Sequence, residues 1–92
     1  MNREERAQAQ EEQTERATQQ ATDLVRAYSE DPDAWVRLLF TAGMGDEAVY
    51  HFDAFWPRQT QNEQSRVIVQ RVVMGRWTAT FVEDPLATLS IR

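Results

Sequence analysis

Residues 49–56, Val-Tyr-His-Phe-Asp-Ala-Phe-Trp, decide the fold class, because their side chains form two alternating rows. The first row, which is the more apolar, consists of Tyr50, Phe52, Ala54 and Trp56. The second row consists of Val49, His51, Asp53 and Phe55. A period of two is typical of a β-strand with one face against a core. We therefore predict a strand that ends before Pro57 and buries its first row.

Three further strands are predicted downstream. Residues 66–73 are mostly β-branched, residues 77–82 alternate again, and Met74-Gly75 between them can form a hairpin turn. After a second turn at 83–85, residues 86–91 can return as a short last strand. The four segments predict a small antiparallel β-meander.

One of these strands has a helical alternative. Thr60 and Glu63 match the Thr-x-x-Glu capping box, which would begin a third helix over residues 61–76. However, five of the six apolar residues between 67 and 74 are β-branched, and such residues fit strands better than helices. We favour the strand. The alternative fold is mostly helical with a C-terminal hairpin at 77–91.

The N-terminal third of the chain predicts a long helix. Residues 3–20 contain only Arg, Glu, Ala, Gln and Thr, which favour helix but offer no large apolar side chain to bury. Apolar residues acquire helical spacing only from Ala17 to Tyr28. We predict a helix over about residues 3–29 that docks through its second half, with residues 1–16 as a polar arm that projects or frays.

A second helix is predicted over residues 32–42. Asp31 can cap it, Pro32 suits its first turn and Gly43 its C-terminal cap. Its apolar positions have helical spacing and are Trp35, Leu38, Leu39 and Ala42. The predicted fold is thus α+β, with two N-terminal helices on the β-meander, in a single domain spanning residues 1–92.

Composition excludes several classes of protein. The chain has 92 residues and no cysteine, so disulfides, metal-thiolate sites and cysteine nucleophiles are absent. It has no apolar run long enough for a membrane span, and its N-terminus is polar. We expect a cytoplasmic protein without membrane contact. All ten basic residues are arginine, which indicates a GC-rich genome, viral or bacterial.

The net charge of −5 is confined to the N-terminal segment. Residues 1–33 hold four arginines against nine acids, whereas residues 34–92 hold six of each. Such acidity repels phosphate, so direct nucleic-acid binding is not expected. The segment could instead face a basic protein surface or imitate a nucleic acid toward a protein that binds one. The candidate contact residues are Glu4, Glu5, Glu11, Glu12 and Glu15.

Aromatic residues are abundant for so small a chain. The predicted core aromatics are Tyr50, Phe52, Trp56, Trp77 and Phe81. This leaves Phe55 on the opposite strand face, near Arg58, as a candidate interface anchor. A homodimer contact, another partner or the N-terminal helix should cover that face.

One pair of residues suggests chemistry. His51 and Asp53 would project from the same strand face, the minimum for a general base with an orienting carboxylate or for a small-ligand site. No nucleophile or further metal ligand accompanies them, so we predict no enzyme, cofactor or metal site. The leading hypothesis is a small acidic module that occupies a surface of a protein partner, as an inhibitor or adaptor. The nucleic-acid mimic and the His51–Asp53 site are the alternatives.

Overall fold

The computed structural model describes residues 3–57, 65–82 and 88–91. A helix, α1, precedes a five-stranded antiparallel sheet in the order β1-β2-β3-β4-β5. The elements are α1 (Arg3–Ser29), β1 (Trp35–Ala42), β2 (Val49–Phe55), β3 (Ser65–Val72), β4 (Arg76–Phe81) and β5 (Thr88–Ile91). Each strand pairs with the next one along the chain. The α+β class and the meander are therefore confirmed, and the meander has one strand more than predicted.

The core lies between α1 and one face of the sheet. The helix contributes Ala17, Ala21, Leu24 and Val25. The sheet contributes Tyr50, Phe52, Ala54, Val67, Val69, Trp77, Ala79 and Phe81. Small alanines on the helix allow it to lie close to the large sheet side chains. The predicted core aromatics are confirmed, with Trp56 only partly buried at the margin.

The strand assignment of residues 65–72 is also confirmed over the helical alternative. Val67 and Val69 are fully buried and pair with Phe52 and Tyr50 of β2. Alternate side chains of a strand can fill a core in this way, whereas on a helix they would point in different directions. The capping box at residues 60–63 lies outside the described residues.

The helix predicted over residues 32–42 is wrong, because residues 35–42 form the edge strand β1. A β-bulge explains the misleading spacing. Leu38 pairs with Phe52 and Phe40 pairs with His51, so Leu39 is an extra residue on β1. The bulge reverses the alternation: Leu38 shares the α1 side with Phe52, whereas Phe40 lies on the opposite face. Apolar residues therefore recur with a spacing that resembles a helical period.

The connection from α1 to β1 depends on Asp31, which is 1% exposed. Its Oδ1 accepts a hydrogen bond from the Asp33 amide at 2.9 Å, and its carbonyl accepts one from the Ala34 amide at 3.2 Å. This is an Asx turn that leads into a strand, not the predicted helix cap. Arg26 Nε donates to the Ala34 carbonyl at 3.0 Å and links the end of α1 to the same turn.

Gly43 ends β1 rather than a helix. Its φ of +80° is unfavourable for other residues, and an added Cβ would lie 2.8 Å from the Glu47 carbonyl oxygen. The connection to β2 continues through a 3-10 turn at Gly45–Glu47. Gln13 of α1 donates from Nε2 to the Gly45 carbonyl at 2.5 Å. This bond links the polar half of the helix to the sheet. Across the described ranges, no helix is long and apolar enough to cross a membrane.

Candidate protein-binding surface on the open face of the sheet

The face of the sheet opposite α1 carries two stacked ring pairs. Trp35 of β1 stacks on Phe55 of β2, with ring centroids 4.3 Å apart and ring planes at 17°. Phe40 stacks on His51 in the same way, at 4.2 Å and 16°. Both pairs follow directly from the β1–β2 register. Trp35 is 47% exposed and Phe40 is 49% exposed.

An ion pair lies between the two stacks. Arg37 pairs with Asp53 across the strands, and its Nη2 lies 3.1 Å from Asp53 Oδ2. The Asp53 side chain is 11% exposed and the Arg37 side chain 59%. The Arg37 guanidinium carbon also lies 5.6 Å from the Phe55 ring centroid. We call this group of six residues the aromatic patch: Trp35, Arg37, Phe40, His51, Asp53 and Phe55.

The predicted positions of Phe55, His51 and Asp53 agree with the β2 geometry, since all three lie on the face away from the core. His51 and Asp53 have different neighbours, however: His51 stacks on Phe40, and Asp53 pairs with Arg37. No cluster of three or more potential metal ligands occurs within the described residues. His51 and Asp53 therefore belong to the aromatic patch through separate contacts with β1.

A cleft lies between α1 and the sheet. It has a volume of about 430 Å³, and its lining includes Gln10, Gln13, Gly43, Met44 and Tyr50. Neither His51 nor Asp53 lines this cleft, because both side chains lie on the opposite face of the sheet. The geometry therefore separates that pair from the concave surface beneath α1.

The five candidate glutamates share the outward face of α1. With 3.6 residues per turn, they fall within an arc of about 120° on the side opposite the buried alanines. Glu4, Glu5, Glu11, Glu12 and Glu15 are all exposed. The acidic face and the aromatic patch point in opposite directions, because the sheet and the body of α1 lie between them. Arg58 lies outside the described residues.

Sequence reasoning missed the β1 half of the aromatic patch. The helix predicted over residues 32–42 has Trp35 among its apolar positions and gives Phe40 no role. The available signal was the composition of β1, Trp-Val-Arg-Leu-Leu-Phe-Thr-Ala, in which apolar residues occupy both alternating sets. Such a strand exposes apolar surface on at least one side unless it is covered on both.

Comparisons with protein-family models, with curated proteins and with solved structures found no match. Function is therefore inferred from the chemistry of the two exposed faces.

Proposed function

We propose that this chain is a small protein-binding module that docks on a macromolecular partner through the aromatic patch. It would act by occupying the partner's surface, as an inhibitor or an adaptor. The observation that supports this proposal is the pair of half-exposed rings, Trp35 and Phe40, on either side of the Arg37–Asp53 ion pair. Exposed aromatic and arginine side chains at the centre of a patch are typical of binding hot spots.

The energetics favour this role. A buried aromatic side chain covers about 150–250 Å², so the exposed halves of Trp35 and Phe40 offer on the order of 200 Å². At about 25 cal/mol per Å², covering them is worth roughly 5 kcal/mol before the costs of association. Those costs are reduced because both rings are already held by stacking on β2 neighbours.

The test uses the full chain with an affinity tag, incubated with a lysate of its source cell. A partner recovered in stoichiometric amount with the wild type should be reduced at least tenfold with Trp35→Ala and with Phe55→Ala. Met44→Ala is the matched control, since Met44 is 85% exposed but lies outside the aromatic patch. Near-UV circular dichroism checks that the variants are folded. Equal recovery with wild type and both patch variants would refute the proposal.

A second candidate function is supported by the acidic face of α1. Five exposed carboxylates on one helix face could take the place of phosphates toward a nucleic-acid-binding protein. In that case, replacing Glu4, Glu11 and Glu15 together by glutamine should weaken partner binding, whereas Trp35→Ala should not. Binding should also fall steeply between about 0.05 and about 0.5 M salt. Salt-independent binding would exclude this candidate.

A further inference from the structure

The most apolar strand of the sheet, β1, is more exposed than β2, β3 or β4. Six of the eight residues of β1 are apolar, and Arg37 is its single charged residue. Nevertheless, no residue of β1 is buried, whereas four of the seven residues of β2 are. The fold therefore leaves uncovered a strand whose composition suits burial.

The position of β1 explains its exposure. It is the first strand of the sheet order, and within the described ranges no strand pairs with its outer edge. The other edge strand, β5, spans four of the described residues, whereas β1 spans eight. Short edge strands resist further pairing, but a long apolar edge with unpaired backbone groups favours it.

Exposure occurs on both sides of the sheet at this edge. Trp35 and Phe40 are exposed on the open face, and Leu38 is 38% exposed on the side that faces α1. A surface packed onto the open face would cover the two rings but leave Leu38 in water. An added strand in the plane of the sheet would pack against the outer sides of all three and would satisfy the backbone groups of the edge. It would leave the open face of the two rings free for a partner.

We propose that β1 pairs antiparallel with β1 of a second copy of this chain, which joins two sheets into one of ten strands. Antiparallel pairing of identical strands forms a closed two-fold dimer. Charge is compatible with this contact, because Asp53 of the same chain offsets the charge of Arg37. The inference extends the proposed function, since the two aromatic patches would lie side by side on one continuous face.

The contact is modest in size. The exposed parts of Trp35, Phe40 and Leu38, with the backbone of the strand, would bury on the order of 1,000 Å² in total, the lower limit for a specific interface. The bulge at Leu39 also divides β1 into two short segments and twists the edge. We therefore expect a reversible dimer with a dissociation constant in the micromolar range.

Sedimentation equilibrium of the untagged full chain, from about 1 to about 500 µM, tests the dimer. The mass of the wild type should rise from monomer to dimer. Leu38→Lys and Phe40→Lys should each raise the dissociation constant at least tenfold. Val82→Lys is the matched control, because Val82 is 51% exposed, lies outside β1 and receives the same charge.

Two results would overturn the proposal. The first is a monomer at every concentration. The second is a dimer that tolerates Leu38→Lys but is lost with Phe55→Ala, since that pattern would indicate packing of open face on open face. A monomer that still recovers its partner through Trp35 and Phe55 would overturn the dimer and leave the proposed function intact.

Discussion

Replacing Gly43 by alanine should destabilise the fold far more than the same change at Gly45. Both glycines lie in the connection between β1 and β2, and both have positive φ, +80° and +57°. They differ in the space around them. A Cβ at Gly43 would lie 2.8 Å from the backbone oxygen of Glu47, whereas a Cβ at Gly45 would meet no heavy atom within 4 Å. Comparing the two alanine variants therefore separates the cost of a left-handed backbone from the cost of a steric clash at the new Cβ.

The magnitudes follow from these two terms. A left-handed conformation costs an L-residue about 1–2 kcal/mol, and alanine recovers about 0.4–1 kcal/mol by restricting the unfolded chain. Gly45→Ala should therefore cost about 1 kcal/mol. Gly43→Ala adds a clash with backbone that only a shift of the chain can relieve, about 1–3 kcal/mol more. Its total cost should be about 2–4 kcal/mol, a large part of the stability of a small domain.

Urea unfolding followed by tryptophan fluorescence measures both free energies of unfolding. In thermal unfolding, Gly45→Ala should lower the Tm by about 5 °C and Gly43→Ala by about 10–20 °C. Equal losses for the two variants would refute the reasoning, because they would mean that the contact with Glu47 has no energetic consequence.

Three other perturbations have expected outcomes. Phe52→Ala removes a fully buried ring and should cost about 3–5 kcal/mol in urea unfolding; a loss below about 1 kcal/mol would contradict its place in the core. A double-mutant cycle on Arg37 and Asp53 should give a coupling below about 1 kcal/mol that shrinks with salt, because the guanidinium is largely exposed; a larger, salt-independent value would contradict this. Asp31→Ala should cost about 1–2 kcal/mol in urea unfolding, since it leaves the Asp33 amide without its acceptor, whereas Asp33→Ala should be nearly neutral.

The strands that were predicted correctly are those in which the apolar residues of the sequence are also the residues buried against the core. In β2, one face meets the core and the other does not, so the alternation from Tyr50 to Trp56 gave the correct core residues. In β3, the β-branched residues were a better guide to the structure than the capping box upstream. Val67 and Val69 lie opposite Phe52 and Tyr50 and fill the core there.

β1 could not be predicted in this way, for two physical reasons. Its bulge at Leu39 moves apolar residues from one face to the other, so the pattern has no single period. Its position at the sheet edge also leaves both faces partly exposed, so burial does not impose alternation. Phe55 and Asp53 of the candidate surface were placed correctly because β2 is regular, whereas Trp35 and Phe40 depend on β1 and were missed.

The order of the strands has a consequence for how the chain folds. Every strand pairs with the strand next to it in sequence, so each hairpin can form after closure of a short loop. Contacts of α1 with the sheet span more of the chain than those between paired strands, because α1 packs against β4 as well as β1. The helix is synthesised before the sheet, yet its apolar stripe lacks its β4 partners until residues 76–81 have joined the sheet. We therefore expect the hairpins to form early, and the docking of α1 to be the late, cooperative event in folding.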